Sequence, residues 1–527
     1  MSRAAPEGAD FSRATAQQVV GTTLSRITGF GRVFALAYAV GFHRLADAYN
    51  LANVTPNIVY ELVLGGVLSA TLVPVFVERL ETDDDPWHAV SAVVTFALAV
   101  VVAVSALLAL AAPAIVHLYT AFNHEASAAD EGAVATTLLR WFAPQVAFYG
   151  AITVTTALLL ARRRFANPKF SPVANNLVVI GVLLAFPHVV HSLDLGAIRH
   201  NAGALALLGL GTTAGVAIQA AIQAPGFRKV RWVWEPRHEA VRTVIRLSFW
   251  TFGVVVANQI ALYVALALAN QRAGAVSIYL AAYMFFVLPH GVIAVSVMDS
   301  LLPELAAQWT RGELAAFRHR IARGLTAIST LIIPAAAGYI VLARPIIRLT
   351  LEYGALHSAS AAKTAAALAL FAVGLPGFSA YLLVMRGFQA MQDTRSMFLM
   401  YALENAINVV LAVALHPSLG VEGLALSFGA AYSIAAVVAW WRLSRTCGGL
   451  ATRAAVSQLQ RVVVATLVMT SAVAATSALV GGDRNLHLLL RVGASVGVGV
   501  TVYGLVARAL HVEELTALFA VRRQPAN

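Results

Sequence analysis

The chain has 527 residues, 59% of them hydrophobic and only 12% charged, with a mean hydropathy of +0.75. A soluble domain carries about 25% charged residues, so this composition excludes an ordinary soluble globular protein. One cysteine, Cys447, excludes an intrachain disulfide framework and a cysteine metal cluster.

Taken in order, the first fourteen residues are polar, and the apolar segment after them is too long for a cleaved signal peptide and lacks a convincing cleavage site. Ten runs without Lys, Arg, Asp or Glu follow, at 86–124, 141–161, 170–193, 200–227, 247–271, 273–298, 324–343, 364–385, 423–441 and 462–482. Most reach the roughly 20 residues that a helix needs to cross hydrocarbon. Shorter or charge-interrupted segments lie at 15–42, 48–77, 397–416 and 486–507, which gives about fourteen transmembrane helices. Ten-residue alternating segments, the mark of a membrane β-barrel, are absent. The fold class expected is therefore an all-α polytopic membrane protein.

The net charge of +12 is explained by topology. Of the 37 basic residues, 25 fall in one set of alternate loops and 8 in the other, with Arg26, Arg32, Arg140 and Arg246 inside spans. That asymmetry is the positive-inside pattern, so both termini are expected in the cytoplasm. The basic loops then face anionic headgroups, and nucleic acid is not an expected partner. The acidic run from Glu78 to Asp85 reads as a solvated loop.

A weak internal repeat runs through the chain. Thr71–Pro74 returns as Ser300–Pro303, and Asn176 returns as Asn405 at the same offset along the sequence. Pro144 and Tyr149 return as Pro376 and Tyr381 at nearly that offset, with their internal spacing kept. An even number of spans per repeat gives two parallel lobes. The expected organisation is an N-terminal tail (1–14), an N-lobe (15–227), a C-lobe (238–445), two appended helices (455–512) and a C-terminal tail (513–527).

Charge at membrane depth is expensive and by default faces a cavity. Arg26, Gly29 and Arg32 follow one another at three-residue steps, which sets the two arginines about 120° apart around the helix, with the glycine between them. Glu61 lies at a depth similar to that of Arg26, and an Arg26–Glu61 pair would limit the cost of burying both. Asp47 suits either a partnership with Arg44 or Arg32 or the N-cap of the second span. Arg140 is a cavity or rim residue, and Arg246 is placed to snorkel. Asn258, Gln259, Glu404 and Asn405, with Asn408, are polar groups within spans that line a cavity or bond helices together. Glu404 and Asp299 are read as buried acids fit for a cation or a proton. A solvated cavity is expected between the first, second, seventh and eighth spans, near Gly65-Gly66 and Pro289. Walker A, His-Glu-x-x-His and Gly-x-Ser-x-Gly motifs are missing, so the chain reads as a transporter and not an enzyme, with no cofactor and no metal expected.

Several blocks carry a resemblance. They include Ser-Arg-x-x-Gly-Phe-x-Arg (Ser25–Arg32), Asp-Ala-Tyr-Asn (Asp47–Asn50), Pro-Asn-Ile-Val-Tyr-Glu-Leu (Pro56–Leu62) and the run Arg164–Asn176. Leu288–Val295, Leu301–Leu305, Glu352–Gly354, Gln392–Thr394 and Gly423–Ser427 extend it. Over nearly its whole length the chain resembles the MurJ/MviN lipid II flippases of the MOP exporter superfamily, and the second-span variant looks like the actinobacterial branch. The resemblance implies a MATE-like fold. It also implies transport of undecaprenyl-diphosphate-linked peptidoglycan precursor from the cytoplasmic to the outer leaflet by alternating access, through a cationic cavity. The last two spans would form an apolar groove for the lipid tail, and cell-wall synthesis proteins would be partners. Arg26 and Arg32 would then contact the diphosphate, since arginine offers a planar donor fork matched to phosphate oxygens.

The chain departs from some relatives, which carry an arginine pair where Tyr60 and Glu61 stand, and an Arg and a Glu where Met284 and Val287 stand. Tyr60, Tyr279, Tyr283 and His290 are either hydrogen-bonding substitutes for those ions or packing residues. Alternative readings are a flippase for another polyprenyl-diphosphate-linked oligosaccharide, another MOP-superfamily exporter, or a non-transporting scaffold for envelope assembly.

Overall fold

A computed structural model describes residues 7–65, 72–82, 85–162, 164, 166–190, 192–450, 453–482 and 485–512. The expected C-terminal tail (513–527), Gly66, and the side chains of the N-terminal tail (1–14) and of Arg246 lie outside the described residues. Among those described the chain is helical throughout, without strands. In order the helices are α1 (Glu7–Ala39), α2 (Arg44–Tyr60), α3 (Val73–Thr82), α4 (Pro86–Thr120), α5 (Ala128–Phe142), α6 (Pro144–Ala161), α7 (Ala166–Val189), α8 (Leu195–Arg199) and α9 (Ala202–Gln223). They continue as α10 (Glu239–Ala269), α11 (Ala275–Pro289), α12 (Val295–Thr310), α13 (Leu314–Leu351), α14 (Ser358–Ala390), α15 (Thr394–Leu419), α16 (Val421–Cys447), α17 (Arg453–Val480) and α18 (Asn485–Ala509).

Local chemistry sets many of these boundaries. Pro86 opens α4 behind Asp85, whose carboxylate accepts the His88 amide. Asn201 and Asp393 cap α9 and α15 in the same way, and Gly448 ends α16 in the left-handed conformation. Gly420, with φ of 63°, makes the tight corner between α15 and α16 that a side chain would strain.

Twelve helical runs among the described residues are long and apolar enough to cross a membrane, and each overlaps a segment expected from the sequence, ten of them charge-free there and two, at 397–416 and 486–507, shorter or charge-interrupted. The two remaining segments, 15–42 and 48–77, fall on α1 and on α2 with α3. Their polar and charged residues set them apart by composition, which is the same property that makes them candidates for a site.

The repeat suggested by short motifs extends to most of the element order. The offset that relates Asn176 to Asn405 also carries α1 (7–39) onto α10 (239–269), α2 (44–60) onto α11 (275–289), and α4 (86–120) onto α13 (314–351), within a few positions. It carries α5 and α6 (128–161) onto α14 (358–390) and α7 (166–189) onto α15 (394–419). Each copy breaks its second span with a π-helical turn, at Glu61–Gly65 and at His290–Ala294, again in register with that offset. Such single π turns cluster at functional positions. The copies diverge at Pro144, which starts α6 anew, whereas its counterpart Pro376 lies inside an unbroken α14.

The chain divides into two compact units: Met1–Ser277 with Tyr353–Leu356, and Ile278–Glu352 with His357–Asn527. In the first, Tyr49, Phe76, Phe142 and Phe186 are among the largest fully buried side chains. In the second, α14 and α16 pack backbone to backbone, because a Cβ on Gly374 would run into the Gly429 main chain. Replacing Gly374 by valine should therefore cost about 1–3 kcal/mol of packing strain and lower the melting temperature in detergent. Gly132→Ala, at a helical glycine with open space around it, is the control and should leave the melting temperature unchanged or slightly raised.

Candidate functional site

In the first unit α1 packs along α7. Asn176 donates to the Ser25 carbonyl (3.2 Å) and to Thr28 Oγ1 (3.0 Å), and the Gly31 position lies close against Ile180. This contact face fixes the rotation of α1. Arg32 falls beside it, half-buried and within electrostatic reach of the Tyr149 hydroxyl. Gly29 is half-buried, and Arg26 is exposed on the far side. The expected Arg26–Glu61 pair is not formed: among the described residues neither side chain makes an ion pair. Glu61 opens the π turn at the end of α2, half-buried beside Tyr60. Tyr60 bonds Thr153 Oγ1 at 2.7 Å and rests on Tyr149, with ring centroids 5.6 Å apart. Arg32, Tyr149, Tyr60 and Glu61 thus belong to one polar region of α1, α2 and α6.

Asp47 does something that neither reading of it anticipated. It is fully buried, and its carboxylate accepts from the Gly274 amide (2.6 Å), the Ser277 amide (2.9 Å) and the Ser277 hydroxyl (2.8 Å). Asn50 donates to the same hydroxyl at 3.0 Å. Asp47 therefore caps the start of α11, a helix far along the chain, while the N-cap of its own helix is His43. The free amides at a helix start carry partial positive charge, which is what a buried carboxylate needs.

Arg44 lies within electrostatic reach of Asp47 but makes its direct ion pairs elsewhere. It is 7% exposed and pairs with Glu125 (2.9 Å) and Glu131 (3.2 Å), while donating to the Asn270 carbonyl at 2.7 Å. Asn123 donates to Glu131 at 2.6 Å. Sequence reasoning missed this network: it counted Arg44 with the loop charges and offered it to Asp47, and it gave Glu131 no role. The signal was there: Glu131 shares one face of α5 with Val134, Ala135 and Leu138, all buried. Arg140 lies on the opposite, exposed face of that helix.

The remaining candidates are scattered. Gln259 on α10 has a buried Oε1 without a partner among the described residues, and the neighbouring Asn258 is half-buried. In the second unit Glu404 is fully buried, and neither carboxylate oxygen has a partner in hydrogen-bond geometry among the described residues. Asn405 donates to the Tyr401 carbonyl, and Asn408 accepts from Ser427. Tyr283 packs in an aromatic cluster with Phe286, Phe371 and Phe428, and Tyr279 stacks on Phe371. His290 bonds Ser379 at 2.9 Å. The expectation that Asp299 is buried is corrected: its side chain is 61% exposed and pairs with Arg386 at 3.0 Å. The π turn and Pro303 bracket this stretch of α12, and the acid falls on its outer face.

Also in the second unit, α13, α17 and α18 line an open apolar cavity of about 470 Å³. Leu331, Tyr339, Met469, Val473, Val496 and Val500 contribute to its walls. Tyr503 anchors α18 to α13 by donating to the Thr330 carbonyl at 2.5 Å. Small residues, Gly338, Gly499 and Gly504, keep the cavity open.

Helical spans in two repeats, with a charged and polar region on the first two helices and an apolar cavity at the end of the chain, define a polytopic transporter. The solved structure of a lipid II flippase MurJ in an inward closed conformation superposes with a TM-score of 0.78 at 21% identity, covering 94% of this chain and 98% of that one. An inward-facing multidrug resistance MATE transporter of the MOP superfamily gives 0.67 at 12% identity, covering 82% and 98%. These matches show a MOP-superfamily fold. The family model described as lipid II flippase MurJ matches residues 36–493, and the chain belongs to that family. Probable lipid II flippases MurJ of Rhizobium meliloti (29% identical, 77% of this chain, 76% of the relative) and Thermotoga maritima (25%, 94% and 96%) are similar over most of their lengths.

Proposed function

We propose that this chain carries lipid II from the cytoplasmic to the outer leaflet of a bacterial plasma membrane by alternating access. The family match over residues 36–493 carries the reading. Arg26 and Arg32 lie just before the matched span, so their role as diphosphate contacts rests on the geometry of α1. Both remain free of carboxylate partners among the described residues, one exposed and one half-buried, as a site that must accept an anion requires. Gly29 lies between them, the Tyr149 hydroxyl is within electrostatic reach of Arg32, and Tyr60 and Glu61 adjoin Tyr149 and one another. Arg140, Asn258, Gln259, Glu404 and Asn405 are assigned to the path as secondary polar positions, and Asp47 to its architecture.

The apolar cavity of α13, α17 and α18 supports the assignment of 455–512 as the lipid-tail groove. The lobes proposed are 15–227 and 238–445, with short tails at 1–14 and 513–527. Cell-wall synthesis proteins that consume the exported precursor are the partners this reading implies. Depletion in the native host tests it: lipid II should accumulate in the inner leaflet, and accumulation of a different polyprenyl-linked oligosaccharide would reject lipid II as the substrate.

Fourteen spans with both termini cytoplasmic follow from the 25 against 8 distribution of basic residues. Reporter fusions at Ala126 and Gly420 should read as external and a fusion at Asn527 as cytoplasmic. A cytoplasmic signal at either loop overturns the topology.

A further inference from the structure

Outside the transport path, the segment before α10 is laid against α4. The Arg231 amide donates to Ser91 Oγ at 3.0 Å and the Val233 amide to Thr95 Oγ1 at 3.2 Å. This docking brings Glu235 and His238 up to His88, in the first turn of α4. His88 Nε2 lies 3.2 Å from Glu235 Oε1, the two imidazole centroids are 6.0 Å apart, and one ligand atom from each of the three residues lies within 4.8 Å of the others. We propose that His88, Glu235 and His238 form a site for a divalent transition cation of the Zn²⁺ class, which ties the segment preceding α10 to the start of α4.

The spacing suits the ion. Nitrogen and oxygen ligands sit about 2.0–2.2 Å from tetrahedral Zn²⁺, which puts neighbouring ligand atoms about 3.3 Å apart. The His88–Glu235 pair already has that separation, and a rotamer adjustment of His238 brings in the third ligand. Two imidazoles and one carboxylate select a borderline cation over Ca²⁺ or Mg²⁺, which take oxygen ligands. Nearby positive groups are engaged elsewhere: Arg79 with Glu239, and Arg162 and Lys229 over the Trp87 ring. The side chains of His88 and Glu235 are about half exposed, leaving room for water as a fourth ligand. His238 Nδ1 now accepts the Ala240 amide at 3.1 Å. Coordination through either ring nitrogen gives up that cap, because a neutral imidazole has one lone pair to offer, so occupancy also acts on the first turn of α10.

Co²⁺ serves as the probe, added to full-length protein purified in detergent after treatment with a chelator. The wild type should show the visible absorption of four-coordinate Co²⁺, saturating at one ion per chain and bleached by Zn²⁺. His88→Ala and His238→Ala should each weaken binding at least tenfold. Glu235→Gln, which keeps the size of the side chain, should weaken it with an unchanged melting temperature in chelator. Absence of the band in wild type, meaning that His88 and Glu235 form an ion pair only, overturns the proposal. Equal binding by all four proteins, meaning that the ion sits on other histidines, overturns it as well.

Discussion

Replacing both Arg26 and Arg32 by alanine is expected to abolish support of growth in a host depleted of its own flippase, with the protein at normal abundance. Each arginine is proposed to make charge-assisted hydrogen bonds to a diphosphate, worth about 1.5–3 kcal/mol apiece. Loss of both removes at least about 3 kcal/mol, more than a hundredfold in affinity. The single alanine variants should fall between the double variant and wild type. Arg32→Ala should be the more damaging, because Arg32 is half-buried beside the Tyr149 hydroxyl and acts in a less screened environment than exposed Arg26. Lysine at either position should restore only part of the function, since it keeps the charge and loses the planar fork. Insertion into the membrane should be unaffected, because arginine is the residue that membrane insertion disfavours. The measurement is precursor export alongside growth. A double alanine variant that exports precursor at the wild-type rate would remove the diphosphate clamp. Met284 and Val287 leave no cation at those second-repeat positions to take over.

The parts of this molecule legible in the sequence are those governed by local rules. Charge-free runs locate the spans because a lipid-facing helix tolerates little charge along its whole length. The duplication was legible at three pairs of motifs, yet the structure extends it to most of the element order and to the paired π turns at Glu61 and His290. Those turns have no reliable signal in one sequence. The arginines on α1 were legible because charge in an apolar stretch is conspicuous. Partnerships were not. Asp47 reaches Gly274 and Ser277, and Arg44 reaches Glu131, across long stretches of intervening chain. Pairing rules based on helical spacing or matched depth see only near neighbours, so they offered Asp47 its adjacent arginines and Arg26 a glutamate it does not meet. Asp299 was misread for a related reason. It lies near the charge-free run 273–298, but its helix continues to Thr310 and turns that residue outward.

The Asp47 capping interaction leads to the second large effect. Asp47→Ala should lower stability in detergent by about 3 kcal/mol, because it strands two buried amides and a hydroxyl at the start of α11, and each unsatisfied buried group costs about 1–3 kcal/mol. Partial rearrangement and the remaining Asn50–Ser277 bond offset some of that sum. Asp47→Asn should cost less. Its carbonyl oxygen can still accept from one or two of the three donors, but its amide group faces N–H groups where the second carboxylate oxygen stood. Ser277→Ala removes one donor and leaves both amides paired, so it should be the mildest of the three. The expected order of melting temperatures is wild type, Ser277→Ala, Asp47→Asn, Asp47→Ala. Transport should fall in the same order, since α11 runs directly into the π turn at His290 and an uncapped start lets that helix fray. A place in the substrate path makes the opposite prediction for charge: removing an acid that lined the path of an anionic ligand should strengthen anion binding. Tighter lipid II binding by Asp47→Asn at an unchanged melting temperature would therefore place Asp47 in the substrate path. A lower melting temperature with unchanged intrinsic affinity keeps it as the anchor of α11.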